Sequence, residues 1–163
     1  MNKKTTESMP TARNKTSPLP GDYHPGPKMP VPVMASDSWP TSSAPWRLRI
    51  QVSGDSHTTI GMEVKDKIIV GRHDPASGYT PDLDLSPFGA ADRGVSRRHL
   101  QIMLHDQSLY LEDLRSLNGT RLNGFLLEAD HGYRLRDGDE IEVGQIRLVL
   151  RFVKSIQNLS PGS

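Results

Sequence analysis

The residues around Ser96 bring several reactive or charged groups close together. The segment RGVSRRHL, residues 93–100, gathers three arginines and His99 around a single hydroxyl. Such a group suits three kinds of site: a serine nucleophile with its histidine base, a basic patch for nucleic acid, or a pocket for one phosphate. Each of these makes different demands on the rest of the sequence.

A nucleophilic serine finds little support in its surroundings. Ser96 and His99 lie three residues apart, but an activated serine also needs a third group that orients its base. The Gly-x-Ser-x-Gly motif of serine hydrolases is absent. We therefore expect no catalytic residue and no enzymatic activity, and an esterase-like enzyme ranks last among the functions considered.

Metal and cofactor sites are also not indicated. The chain has no cysteine, and its six histidines are scattered without ligand spacing. Asp82 and Asp84 alternate as in a calcium loop, but the sixth and twelfth positions of such a loop, which need glycine and an acid, hold Pro87 and Arg93. We expect neither a metal nor a cofactor.

The charge balance argues against nucleic acid as a ligand. Residues 46–154 contain 15 Lys and Arg against 16 Asp and Glu, a net charge of −1, and the whole chain carries +1. Nucleic-acid-binding domains present a broad basic surface, whereas these arginines form a local cluster. A nucleic-acid regulator is therefore the third choice of function, after the two kinds of peptide or protein binding described below.

A pocket for a single phosphate fits the residue types best. A guanidinium grips phosphate with two parallel hydrogen bonds, and hydroxyl and backbone N–H groups complete the cage. Arg72 ends a predicted strand, Ser96 and Arg97 precede another, and residues 116–119 form a predicted tight turn. Loops of this kind cluster at one end of a sandwich, so these residues predict a reader of phosphorylated peptides.

Alternating hydrophobic residues predict an all-β fold. WRLRIQV, from Trp46, alternates apolar and polar residues with the period of a half-buried strand. Similar patterns recur in TTIGMEV, KIIV, HLQIMLH, QSLYLEDL and the long segment 132–153, with turns between them. We expect an antiparallel β-sandwich. The long irregular segment 71–95 and the two Asn-Gly pairs of residues 116–124 are where a site is expected.

Composition divides the chain into three parts. Residues 1–45 hold nine of the thirteen prolines and many serines and threonines, which predicts a disordered tail. Residues 46–154 form the predicted domain, and residues 155–163 a short flexible tail. No run approaches the roughly 18 apolar residues of a membrane helix, and no apolar signal region follows Met1, so we expect a cytoplasmic protein without membrane contact.

Three motifs in this order resemble the forkhead-associated (FHA) domain: GR at residues 71–72, VSRRH at 95–99 and SLNGTRLNG at 116–124. The resemblance covers about residues 46–154. It implies a β-sandwich of about eleven strands whose apical loops bind phosphothreonine peptides, without catalysis. It also implies a signalling adaptor downstream of Ser/Thr protein kinases.

The resemblance assigns roles to individual residues. Arg72 is expected to grip the phosphate, Ser96 to hydrogen-bond it, and Arg97 to add a donor. Asn118 is expected to hold the peptide backbone beside the phosphothreonine, with Leu117 next to it in the peptide-binding set. The resemblance gives a loop-shaping role to Gly71, His99, Gly119, Thr120, Asn123 and Gly124.

The sequence departs from the family pattern at three places. Leu117 stands where many members have a hydroxyl, and losing one neutral hydrogen bond costs about 1 kcal/mol. Arg115 stands where glycine is common, and either Arg115 or Arg98 can compensate for the missing hydroxyl. The loop from His73 to Gly94 is longer than in compact members and is expected to influence ligand selectivity.

The expected partner is a phosphothreonine-containing protein. The alternative is an FHA-fold domain that binds unphosphorylated partners, favoured by the atypical Leu117. A third hypothesis is that the tail, once phosphorylated by a Ser/Thr kinase, occupies the chain's own pocket. Its candidate acceptors are Thr5, Thr6, Thr11, Thr16 and Thr41.

Overall fold

The computed structural model describes residues 30, 32–34, 46–54 and 58–153. Their secondary structure is twelve β-strands and one short 3-10 helix, Ser86–Phe88. The strands are β1 Pro32–Met34, β2 Trp46–Ser53, β3 Thr58–Val64, β4 Lys67–Gly71, β5 Leu83–Asp84, β6 Arg98–His105, β7 Ser108–Asp113, β8 Thr120–Leu122, β9 Phe125–Leu126, β10 Gly132–Arg134, β11 Glu140–Val143 and β12 Ile146–Val153. Within the described residues, no helix is long and apolar enough to cross a membrane.

The strands form two six-stranded sheets that pack into a sandwich. The first sheet has the order β1-β10-β7-β6-β4-β5, and the second has the order β3-β2-β12-β11-β8-β9. Eleven of the described strands lie between residues 46 and 153, so the predicted all-β sandwich of about eleven strands is confirmed.

The alternation read from the sequence corresponds to the two faces of the strands. In β12, Ile146, Leu148 and Leu150 are buried, whereas Arg147 and Arg151 are exposed. The central strands β2 and β6 bury their apolar residues in the same core. Each buried side chain of this size contributes about 2 kcal/mol, which fixes the register of its strand.

Two features differ from the predictions. The pairing of β4 with β5 is parallel, because the irregular loop after β4 brings the chain back in the same direction. The strand β1 lies inside residues 1–45, the segment predicted to be a tail, and gives residues 32–34 a regular backbone. A three-residue edge strand needs few backbone donors and tolerates Pro32 at its first position, where β1 pairs with β10. The other residues of both predicted tails lie outside the described residues.

One end of the sandwich collects the segments singled out by the sequence. Gly71, at the end of β4, pairs with Arg98 at the start of β6. The connection from β7 to β8 lies at the same end, since Asp113 pairs with Leu100 near the start of β6. The β11–β12 turn also lies there: the N–H of Gln145 donates to the carbonyl of Arg93 (2.8 Å).

Candidate functional site

The site begins where β4 leaves the sheet at Gly71. A Cβ atom at this position would overlap the carbonyl oxygen of Arg97, so the close approach of the two chains requires glycine. The next residue, Arg72, donates its backbone N–H to that same carbonyl (3.3 Å). This contact fixes the start of the Arg72 side chain beside the segment that carries Ser96.

The side chain of Arg72 is half-buried and held by backbone carbonyls. Its Nε donates to the carbonyl of Val95 (2.9 Å), and Nη1 lies 3.5 Å from the carbonyl of His73. Arg72 thus bonds to the residues on both sides of Ser96, Val95 through its side chain and Arg97 through its backbone. The guanidinium is oriented before any ligand arrives, which reduces the entropy lost on binding.

Ser96 connects two of the three motif segments. Its Oγ accepts a hydrogen bond from the backbone N–H of Leu117 (3.0 Å), and its own N–H donates to Nδ1 of His99 (3.0 Å). The hydroxyl is therefore not hydrogen-bonded to the histidine ring. This geometry gives no support to the alternative in which His99 activates Ser96 as a nucleophile.

His99 is fully buried and ties the Ser96 segment to the following turn. Because Nδ1 accepts from Ser96, the ring proton lies on Nε2, which donates to the carbonyl of Gly119 (3.0 Å). Burial lowers the pKa of His99, against the smaller opposing effects of the Gly119 carbonyl and the Asp113 charge. His99 is thus neutral at physiological pH, with both ring nitrogens engaged.

Asp113, at the end of β7, is a buried carboxylate that the sequence analysis did not identify. It accepts hydrogen bonds from the N–H and Oγ of Ser116 (3.0 and 2.6 Å) and from Oγ1 of Thr120 (2.6 Å). Thr120 is itself fully buried. The available signal was an aspartate at a strand end followed by hydroxyl residues three and seven positions later, a pattern of side-chain-stabilised turns.

The turn between β7 and β8 presents Leu117 and Asn118 to solvent. Nδ2 of Asn118 donates to the carbonyl of Gly94 (2.9 Å), which links this turn to the segment before Ser96. Gly94 has a positive φ of 74°, and a Cβ there would overlap the Asn118 amide. Arg115 has φ 55°, in the left-handed region favoured by glycine, which accounts for the glycine common at this position.

The second Asn-Gly pair forms a separate hairpin. Asn123 and Gly124 have φ values of 51° and 87°, as expected for a two-residue turn joining β8 to β9. The Asn123 side chain donates to Asp139 and accepts from the N–H of Glu140, both at 3.0 Å. These residues shape the hairpin, and the Asn123 side chain bonds to Asp139 and Glu140 rather than to the segments that hold Arg72.

Arg97 is engaged by an acid of the long loop. Its Nη1 lies 3.0 Å from Oδ2 of Asp74, a carboxylate that also accepts from the Ser77 hydroxyl (2.6 Å). These two hydrogen bonds, Ser77 first and Arg97 second, lower the pKa of Asp74. Beside the pair is a surface depression of about 340 Å³. It is lined by Ser77, Tyr79, Ser96, Arg97 and Arg98.

The structure therefore brings Arg72, Ser96 and Asn118 together on three linked segments. Arg115, in the same turn as Asn118, is engaged with an acid instead: it forms an ion pair with Asp130 (2.5 Å). Hydrogen-bond donors of the guanidinium and hydroxyl kind predominate, which suits a doubly charged oxyanion. Within the described ranges, no three His, Asp or Glu side chains are placed to hold a metal ion together.

Comparison with known sequences points to the FHA domain. Residues 68–144 match the sequence profile of the FHA domain. The chain is 33% identical over 89 residues to the oxoglutarate dehydrogenase inhibitor of Corynebacterium jeikeium, which covers 55% of this chain and 58% of the inhibitor. It is 41% identical over 64 residues to the FHA domain-containing protein FhaA of Mycobacterium tuberculosis, covering 39% of this chain and 12% of FhaA. The chain thus spans less than two thirds of these curated relatives.

Two solved structures with the same architecture are FHA domains. The FHA domain of FhaA, in complex with the intracellular domain of Rv3910, is 31% identical with a TM-score of 0.50, and the match covers 64% of this chain and 99% of that one. A second structure comes from work on phosphothreonine-dependent FHA domain interactions. It is 29% identical with a TM-score of 0.53, and the match covers 67% of this chain and 99% of that one.

Proposed function

The chain belongs to the FHA domain family, and from this we propose that it is an adaptor that binds phosphothreonine-containing peptides downstream of Ser/Thr protein kinases. The proposed activity is binding, with no chemical step. Support comes from the solved relative that was studied for phosphothreonine-dependent interactions. The oxoglutarate dehydrogenase inhibitor, by its name, regulates an enzyme.

One observation carries the proposal: hydrogen bonds join all three motif segments into one surface. Arg72 bonds to the carbonyl of Val95, Ser96 accepts from Leu117, and Asn118 donates to Gly94. A phosphate placed against this surface meets the Arg72 guanidinium and the Ser96 hydroxyl at once. In the proposed complex, Oδ1 of Asn118 accepts a backbone N–H of the peptide, since Nδ2 is already engaged.

In the proposed complex, the phosphate and the residues that flank the phosphothreonine bind to different parts of the surface. Charge-assisted hydrogen bonds from arginine are about twice as strong as neutral ones, so the phosphate supplies most of the affinity. The exposed Asn118 and the depression beside Arg97 lie next to the phosphate position and contact the flanking residues. The partner is then chosen by the sequence around the phosphothreonine.

The proposal extends to the upstream kinase and to the tail. Threonines within residues 1–45 are acceptors for a Ser/Thr kinase, and a phosphorylated tail competes with an external partner for the same pocket. We propose the cytoplasm as the compartment in which the chain meets such a kinase. Mass spectrometry after kinase treatment, combined with NMR shifts at Arg72 and Ser96, tests the tail. If the tail is phosphorylated but these two residues do not shift, self-binding is excluded.

The test of the main proposal is a titration with a degenerate phosphothreonine peptide library. Wild type is expected to bind the phosphorylated library and not its unphosphorylated counterpart, and Arg72→Ala is expected to lose this binding. Equal binding of both libraries would favour the alternative partner class, an unphosphorylated protein surface. A pull-down from extract with and without phosphatase then identifies the partner under the same criterion.

A further inference from the structure

Two exposed leucines adjoin the turn that carries Asn118. Leu117 is 88% exposed and Leu126 is 60% exposed. In the described part of the chain, the other large hydrophobic residue classed as exposed is Val153, at 41%. Single apolar residues are common on protein surfaces and need no function. The informative feature is that two of these three residues border the same turn, next to the phosphate position.

Leu126 is fitted to this turn by the glycine of the motif. If Gly119 carried a Cβ atom, that atom would lie 2.8 Å from Cδ1 of Leu126. The Leu126 side chain therefore lies over Gly119, two residues after Leu117. The hairpin at Asn123–Gly124 brings β9 into this position by pairing it with β8. Leu117 is part of this turn, and Leu126 reaches it from β9.

The charged residues nearby are balanced by each other. Arg115 pairs with Asp130 (2.5 Å), and Arg121, the cross-strand neighbour of Leu126, lies 3.9 Å from Glu142. A charged side chain of a ligand therefore gains little at this place, because the local charges are already paired. The apolar surface of the two leucines is what this side of the turn offers to a partner.

From this arrangement we propose that Leu117 and Leu126 bind an apolar side chain of the peptide, within a few residues of the phosphothreonine. The inference rests on the proposed function, since the bound phosphate is what places the peptide across the turn. Arg72 and Ser96 select the phosphate, and the leucines select the neighbouring residue. Leu117, which departs from the hydroxyl common in the family, thus contributes apolar contact where related domains offer a polar group.

The test is a set of phosphothreonine peptides in which each flanking position is varied through leucine, valine, serine, aspartate and lysine. Affinities are measured by fluorescence anisotropy for wild type, Leu117→Ala, Leu126→Ala and Val153→Ala. Val153→Ala is the matched control. It truncates the third exposed apolar residue, which lies at the end of β12 far from the phosphate loops. Each set is repeated with unphosphorylated threonine.

Burial of one aliphatic side chain corresponds to roughly a tenfold preference. Wild type and Val153→Ala are expected to prefer leucine over serine or aspartate by about this factor at one flanking position. Leu117→Ala and Leu126→Ala are expected to lose most of the preference and keep the requirement for phosphate. Phosphate-dependent binding without an apolar preference, or with a preference unchanged in both variants, overturns this inference alone. Loss of phosphate dependence in wild type overturns the proposed function and this inference with it.

Discussion

The backbone N–H of Leu117 donates a 3.0 Å hydrogen bond to Oγ of Ser96, which joins the two loops expected to surround the phosphate. The hydroxyl accepts this bond with a lone pair, and its own proton is still available to a phosphate oxygen. Ser96 therefore positions the loops and, in the proposed complex, also contacts the ligand. The residue at position 117 contributes its backbone to the site whatever its side chain is.

Ser96→Ala is expected to weaken phosphopeptide binding roughly tenfold, because it removes a charge-assisted bond and the link to Leu117. Ser96→Thr keeps the hydroxyl and is expected to bind within a few-fold of wild type. Isothermal titration calorimetry measures both. Wild-type affinity in Ser96→Ala would show that the hydroxyl does not contact the phosphate.

Arg72→Ala is expected to reduce phosphopeptide affinity by roughly a hundredfold, since a bidentate guanidinium–phosphate contact contributes about 3 kcal/mol. Arg72→Lys keeps the charge but not the planar fork, so it should recover only part of this loss. Thermal melts serve as the control for folding. An Arg72→Lys variant with full affinity would contradict a bidentate contact.

Folding stability is expected to fall as the pH drops below the unfolded-state pKa of histidine, about 6.5. His99 has a lowered pKa in the folded protein, so between that lowered pKa and 6.5 the unfolded chain binds a proton that the folded chain does not. The slope attributable to this residue is at most about 1.4 kcal/mol per pH unit. Stability is fully present above this window and is lost as the pH falls through it.

The measurement is urea unfolding from pH 5 to pH 8, with His99→Gln as the comparison. The variant is less stable at neutral pH, because the Ser96 and Gly119 contacts change, but its slope in this window should be shallower. Identical slopes in both proteins would mean that other groups cause the acid sensitivity.

Asp113→Ala is expected to destabilise the domain by about 3 kcal/mol, since three hydrogen bonds lose their acceptor inside the protein. For a domain of this size, the melting temperature should fall by roughly 10 °C. Asp113→Asn keeps one acceptor oxygen and should lose less. Differential scanning calorimetry gives both values, and a loss below about 1 kcal/mol in Asp113→Ala would contradict this account.

Asp74→Asn is expected to tighten phosphopeptide binding by up to about fivefold, the range of an exposed ion pair, because it frees Arg97 for the phosphate. Since the pKa of Asp74 is lowered, the carboxylate holds Arg97 throughout the neutral and mildly acidic range. Asp92→Asn removes the same charge elsewhere in the loop and serves as the control. Weaker binding in Asp74→Asn alone would show that this carboxylate orders the loop for the ligand.

The strands could be read from the sequence because each buries one face and exposes the other. Leu48, Ile50 and Val52 lie on the core face of β2 as their spacing indicated. The parallel direction of β5 could not be read in this way. This strand has only two residues, and it is set by the hydrogen bond from the N–H of Leu85 to the carbonyl of Gly71 rather than by a pattern.

The sequence predicts candidate members of the site but not the hydrogen bonds that connect them. Arg72, Ser96 and Asn118 were found from residue type and order. The bond from Arg72 to Val95 and the pair of Arg97 with Asp74 depend on how the long loop folds back, and local sequence carries no information on that. Asp113 was missed because its carboxylate bonds to residues inside the protein rather than to a ligand. An aspartate at the end of a strand pattern gives no signal of its own.

Strands β2 and β12 pair along seven positions, and the Trp46 and Phe152 rings meet edge to face, 5.0 Å apart, at the end away from the phosphate loops. The chain therefore enters the second sheet and leaves it at neighbouring points. We therefore expect that a surface loop of a host protein can accept residues 46–153 without a wide gap, with the loss of the edge strand β1. Because about 20 Å of strand separates the loops from that junction, a graft of this kind leaves the end proposed to bind phosphopeptides accessible.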